Sequence, residues 1–277
     1  MAIIETQRED IQALEGLHLF HFATSNCSQR VRLMLHEKGV RWESHHVNLA
    51  EGENATPEFI ALNPNGVVPV LVHDGVTHIE SNDIIQYVDE KFEGPRLSPS
   101  SDDDIMFLSE TLKRSSDFQG ALKLLTHEFL FKPVRRMNED QLAKYAVGTK
   151  NEKLIAFMKE FSSKEGFGKA KISAAVAEVE DLLAYLEQRL DDCSWRSGDE
   201  FGLADISWVV NLHRFQHMKY PLERYKNVVS WLESMRSRPS FVPAISRFES
   251  AKMMNLFKGY TFVRRLKGTS VRSYLED

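Results

Sequence analysis

The sequence predicts an α/β domain followed by an all-α helical bundle. Short apolar runs alternate with short helical stretches from Leu17 to about Phe92. A proline-, serine- and acid-rich linker, 94–104, follows. Beyond it strand signals almost vanish while helical periodicity persists.

Leu17 to Phe22 alternates with period two, as a strand does. Val31, Leu33, Met34 and Leu35 with neighbouring bases predict an amphipathic helix stopped by Gly39. Trp42 to Leu49 reads as a second strand, and Thr56-Pro57-Glu58-Phe59 as a helix start with proline at its first position. Val67 to Val72 is a strand interrupted by Pro69. Asp74-Gly75 then signals a hairpin into Val76–Ile79. Ser81 is placed to cap a helix carrying Ile84, Ile85, Tyr87 and Val88. A βαβ pair, a hairpin and a closing helix make a four-stranded unit over 17–93, with 1–16 as an N-terminal extension. The bundle spans 104–250, with periodic segments at 105–131, 174–190, 205–217 and 228–235. The polar stretch from Lys132 to Lys171 reads as a mobile, partly helical excursion. The tail, 251–277, is basic and reads as a solvated arm folding over the active site or over a partner subunit.

With 277 residues, 42% of them hydrophobic, the chain can bury a substantial core. Its net charge of −5 gives no footprint for nucleic acid. No segment has the length of a membrane span or a signal-peptide apolar region. Two cysteines, Cys27 and Cys193, cannot form a disulfide framework, so a reducing cytosol is expected. His18, His21, His45, His46 and His78 show no metal-ligand spacing, and no metal site is expected.

Three motifs carry chemistry. The first is Ser25-Asn26-Cys27-Ser28 at a helix start, where unpaired N–H groups and the helix dipole favour anions and thiolates. A serine there can donate a hydrogen bond to a ligand thiolate, or it can merely cap the helix. Cys27 is either an acidic nucleophile or a small core residue. Position 30 is arginine, which excludes a local dithiol. The second motif is Asn63-Pro64-Asn65-Gly66-Val67-Val68-Pro69. A cis-proline there would leave the N–H and C=O of Val68 to pair with an extended peptide. The third, Glu80-Ser81-Asn82, offers a carboxylate for an ammonium and a helix start for a carboxylate. A thiol activator, a peptide partner and an α-amino-acid clamp together suit γ-Glu-Cys-Gly.

The runs SNCSQRVRLMLHEKGV, NPNGVVPVLVHDG and IESNDIIQYVDEKF resemble the glutathione transferase N-terminal half, which is thioredoxin-like. Phe201-Gly202-Leu203-Ala204-Asp205-Ile206 resembles the family's capping motif in the buried bundle helix, with Gly202 where the family prefers Ser or Thr. A less firmly anchored helix is expected from that change. The resemblance implies a glutathione-dependent enzyme, dimeric through its first helical domain. In it Ser25, Asn26 or Ser28 activates the thiol, and Val68, Pro69, Glu80 and Ser81 hold glutathione.

Ser-x-Cys is similar to the zeta class and to glutathione-dependent dehalogenases of chlorinated hydroquinones, while the excursion is similar to that of bacterial β-aryl etherases. The substrates this implies are small electrophilic aromatics, with Cys27 resolving a glutathionyl adduct in the dehalogenase case. Phe107, Phe118, His127, Phe257, Tyr260 and Phe262 are candidates for the electrophile pocket, although aromatic stripes are usually core. A zeta-like maleyl-acid isomerase would need cations such as Arg30 and Arg32 facing the substrate. A non-catalytic binding protein is the remaining alternative.

Overall fold

The structure, a computed structural model, describes residues 2–149 and 151–275. Its contacts divide the chain into two compact units: 1–96 with 137–162, and 97–136 with 163–277.

In the first unit the strands are β1 (Ala2–Ile4), β2 (Leu17–His21), β3 (Glu43–His46), β4 (Val70–His73) and β5 (Val76–Ile79), in the order β1-β5-β4-β2-β3. The sheet therefore has five strands rather than the expected four. β1 lies in the supposed extension and pairs antiparallel with β5, Ala2 opposite Ile79 and Ile4 opposite Thr77. A strand this short, with no turn signal beside it, has no periodicity to read; it covers what would otherwise be an open edge. The strand expected from Val67 starts only at Val70.

Helices of this unit are α1 (Glu9–Gln12), α2 (Asn26–Glu37), α3 (Pro57–Leu62) and α4 (Ser81–Lys91). Local chemistry sets their ends. Thr56 caps α3, its side chain accepting from Phe59 N, and Pro57 takes the first position. Lys38 and then Gly39, at φ 66°, close α2. Asp74 and Gly75 both have positive φ, 48° and 78°, as a tight hairpin requires. Val70, Val72, Val47, Phe59, Leu62, Ile11 and Ile79 form one core cluster. Alternation sends Leu19 and Leu71 to the opposite face.

Most of the excursion, 137–162, is helical and belongs to this unit. Asn138 and Gln141 form a reciprocal capping box for the helix Glu139–Gly148. Asn151 donates to the Asn65 carbonyl across 3.1 Å. A Cβ on Gly148 would lie 2.2 Å from the Ala55 carbonyl oxygen, so only glycine permits this approach. Gly148→Ala is expected to cost about 1–3 kcal/mol. Urea denaturation checks this; a loss under about 0.5 kcal/mol contradicts the close approach.

The helices not yet given are α5 (Asp102–Asp117), α6 (Gln119–Thr126), a π-helical turn at His127–Phe131, α7 (Lys132–Arg135), α8 (Glu139–Gly148), α9 (Glu152–Ser162), α10 (Lys169–Asp192), α11 (Leu203–His217), α12 (Lys226–Arg236), α13 (Phe241–Ala244) and α14 (Ala251–Leu266). Of these, α8 and α9 belong to the first unit. Ser101 caps α5 inside the expected linker.

Every residue of α11 from Leu203 to Phe215 is buried. Its anchor is stronger than the missing cap hydroxyl implied. The Asp205 carboxylate accepts from the backbone N–H of Arg196 (2.7 Å), Ser197 (3.2 Å) and Gly202 (3.0 Å) and from Trp231 Nε1 (2.7 Å). A Cβ at Gly202 would stand 2.7 Å from the Leu97 carbonyl oxygen, which explains glycine at this cap.

The tail is largely exposed, but one face of it packs into the second unit. Phe257 and Val271 are buried, and Arg264 Nη1 bonds the Glu128 carboxylate at 2.7 Å and its carbonyl at 2.9 Å. Phe118, His127 and Phe257 are core residues, Tyr260 donates to the Glu128 carbonyl, and Phe262 faces outward.

Candidate active site

Strand register brings the motifs of the first unit together. Phe20 pairs with Val70 and Leu71 with His78. The chain leaving β2 toward Ser25, entering β4 from Val68-Pro69 and leaving β5 toward Glu80 therefore meets at one end of the sheet. This is the end where an open α/β sheet presents its ligand crevice.

Ser25 is the N-cap of α2, half-buried, its Oγ accepting from Ser28 N at 3.3 Å. Its own O–H is left to donate. Asn26 and Cys27 follow in the first turn, also half-buried. Ser28 is fully buried and its Oγ accepts from Phe22 N at 3.3 Å, so it braces the loop from inside.

Arg32 closes the loop from another side. It donates to the carbonyls of Phe22 (3.3 Å) and Ala23 (2.8 Å) and to His21 Nδ1 (3.1 Å). His21 in turn donates from Nε2 to Ser44 Oγ at 2.8 Å. Burial, the Arg32 charge and His46 push the His21 imidazole down to about 3, so it stays neutral and accepts from Arg32.

An unfolded histidine takes its proton near pH 6.5, so this group's contribution is complete above that pH. It is lost at up to about 1.4 kcal/mol per pH unit as pH falls toward about 3. His21→Gln is expected to flatten the acid limb of the stability profile measured by urea denaturation from pH 7 to 4.5. An unchanged limb contradicts a neutral His21.

The Val68–Pro69 bond is cis. Among the described residues the Val68 N–H and C=O make no hydrogen bond, while Asn63 Nδ2 bonds the carbonyl of Val67 at 2.8 Å. Val68 thus has a donor and an acceptor for an extended ligand.

Glu80, not Ser81, is the N-cap of α4. It holds φ 63° and ψ 106°, a conformation that costs a non-glycine residue about 1–3 kcal/mol. Its side chain is exposed and makes no capping bond. Ser81 is the first helical residue, and its Oγ accepts from Arg30 Nη1 at 2.7 Å.

Arg30 is buried between the two helix starts, its pKa lowered by burial, with the Cys27 charge opposing that shift. At the other helix ends Lys38 Nζ bonds Asp89 Oδ1 at 3.2 Å and the carbonyls of Asp89 and Pro95. Both ties span equal sequence intervals, so α2 and α4 run side by side in parallel and their N-termini stay together. The chain's bases at 30 and 32 are directed inward, not toward a substrate. Their burial was not legible, because arginine at helix positions five and seven reads as surface.

Among the described residues, His213, His217 and Glu249 form a group that brings metal-ligating atoms together. It lies in the second unit, whereas the histidines that the sequence singles out belong to the first.

Residues 19–96 match the model of the glutathione S-transferase N-terminal domain, and residues 169–234 that of the C-terminal domain. Glutathione S-transferase 1 of Dianthus caryophyllus is 32% identical over 69% of this chain and 74% of its own length. Glutathione S-transferase TCHQD of Arabidopsis thaliana is 27% identical over 90% of this chain and 97% of its own. In fold, the β-etherase LigF from Sphingobium sp. strain SYK-6 is similar with a TM-score of 0.75 at 21% identity, over 83% of this chain and 99% of that one. No described helix is long and apolar enough to cross a membrane.

Proposed function

Since the chain belongs to the glutathione S-transferase family, whose co-substrate is glutathione, we propose that it directs that thiol at a small aromatic carrying a leaving group. One observation carries the reading: Ser25 O–H, the unbonded Val68 N–H and C=O, and the exposed Glu80 carboxylate meet at one end of the sheet.

Glutathione supplies the nucleophilic sulfur. Ser25 donates to the thiolate at the α2 N-terminus, where the dipole and the buried Arg30 add positive potential. Val68 pairs with the peptide backbone. Glu80 meets the ammonium, and Ser81, polarised by Arg30, donates with the α4 N-terminus to the neighbouring carboxylate. Preorganised donors of this kind fix the sulfur where it attacks. Asn26 remains beside Ser25 as a second polar contact.

Two aromatic routes fit. In ether cleavage or simple displacement, sulfur–carbon bond formation expels an aryloxide or halide. In reductive dehalogenation, Cys27 attacks the sulfur of a glutathionyl adduct. This releases the aromatic carbon as a carbanion that takes a proton and leaves a Cys27–glutathione disulfide, which a second glutathione reduces. The isomerase alternative draws no diacid clamp from Arg30 and Arg32, which are buried and bonded within the domain.

The test is product analysis with glutathione and, separately, a β-aryl ether, a chlorinated hydroquinone and a maleyl acid. For the dehalogenase route, Cys27→Ser is expected to accumulate the glutathionyl adduct. For the ether route it leaves the product unchanged. Absence of glutathione-dependent product from either aromatic overturns the reading.

A further inference from the structure

His213 and His217 stand one turn apart on α11, and Glu249 directly precedes Ser250, the N-cap of α14. Glu249 Oε1 lies 2.8 Å from His213 Nε2 and 2.9 Å from His217 Nε2, and the two nitrogens are 3.1 Å apart. Hydrogen bonding alone serves this triangle poorly. Two N–H donors would reach one oxygen from directions only about 65° apart, against the roughly 120° spread of carboxylate lone pairs. If both point at the oxygen, the nitrogens face each other as donors with no acceptor between them.

A cation removes that conflict, because both nitrogens then turn lone pairs inward. An ion about 2.0–2.1 Å from each atom would sit roughly 1 Å out of their plane. We propose that His213 Nε2, His217 Nε2 and Glu249 Oε1 form a three-ligand site for a divalent transition-metal ion of the zinc type. Two imidazoles and one carboxylate select such ions over calcium or magnesium.

The surroundings support binding and restrict its role. The three side chains are 6%, 20% and 10% exposed, which leaves entry past His217. Phe241 stands edge-on to the His213 ring at 5.3 Å and fixes its plane, since Nδ1 has no hydrogen-bond partner. Buried Arg214 offsets the Glu249 charge and moderates affinity. His-x-x-x-His is the helical spacing of zinc hydrolases, but the residue after the first histidine is Arg214 rather than a glutamate base. The ion would therefore act as a staple, tying buried α11 to the chain that enters α14.

Metal-stripped full-length protein is titrated with Co²⁺ as the spectroscopic probe, followed by Zn²⁺ competition. One Co²⁺ per chain is expected, with visible d–d absorption that Zn²⁺ abolishes and a raised melting midpoint with Zn²⁺. His217→Ala, at a partly exposed position, and Glu249→Gln should each weaken binding at least tenfold with an unchanged circular dichroism spectrum. His213→Ala is less decisive because that ring is core. No saturable Co²⁺ binding, or equal binding in both variants (an ion held elsewhere), overturns the proposal.

Discussion

Asp205→Ala is expected to lower the unfolding free energy of the second unit by about 3–5 kcal/mol, the largest stability effect of any single substitution considered. The carboxylate is fully buried and accepts four hydrogen bonds, three from backbone N–H groups and one from Trp231. Removing it orphans those donors together, and water cannot replace the acceptor at a site with no exposure. Burial holds the Asp205 carboxyl above its usual range, while the converging N–H donors pull the other way. Asp205→Asn keeps the shape and one oxygen but turns an NH₂ toward donors, so an intermediate loss is expected. Trp208 and Trp231 lie close by, so urea denaturation followed by tryptophan fluorescence reads this region directly. A loss below about 1 kcal/mol would mean that Asp205 is a local cap and no more.

How much of this was legible in the sequence follows from the range of the interactions. Short-range chemistry was readable: the Asp74-Gly75 turn, Thr56-Pro57 at the start of α3, the serine at the head of α2 and the proline at position 69. Each signal sits within four residues of its effect. Interactions that depend on distant partners were not readable. β1 is three residues whose pairing partner lies some seventy-five positions away. The excursion looked mobile because its docking rests on Gly148 meeting Ala55 and on Asn151 meeting Asn65. Gly202 read as a weakened cap because the Leu97 carbonyl that demands glycine is over a hundred residues upstream. Of the candidate site, Ser25, Val68 and Glu80 lie at one sheet end, whereas Ser28 is a brace and Ser81 follows the cap. Arg30, Arg32 and Glu249 carried no local mark, whereas His213 and His217, four apart in a helical stretch, did.

Ser25→Ala is expected to lower kcat about 10²–10³-fold, with a much smaller change in the KM for glutathione. In the proposed site the hydroxyl bonds the developing and ground-state thiolate, while Val68, Glu80 and Ser81, proposed to hold the rest of the tripeptide, are unchanged. The substitution also removes the α2 cap bond to Ser28 N, worth about 0.5–2 kcal/mol of stability. Ser25→Thr is the conservative control, since it keeps a hydroxyl for both roles. Its activity should recover most of the loss. If Ser25→Ala instead raised KM and spared kcat, Ser25 would be a binding group, and thiol activation would fall to Asn26.

Central to this account is that Ser25 at the α2 N-terminus holds glutathione as a thiolate. The direct measurement is the pH titration of the enzyme-bound thiol by ultraviolet difference absorbance, wild type beside Ser25→Ala. The bound thiol is expected to ionise about 1–2 pH units below the free thiol's value near 8.5, and to return most of the way in Ser25→Ala. A bound thiol that titrates like the free one, or a depressed value that survives in Ser25→Ala, contradicts it.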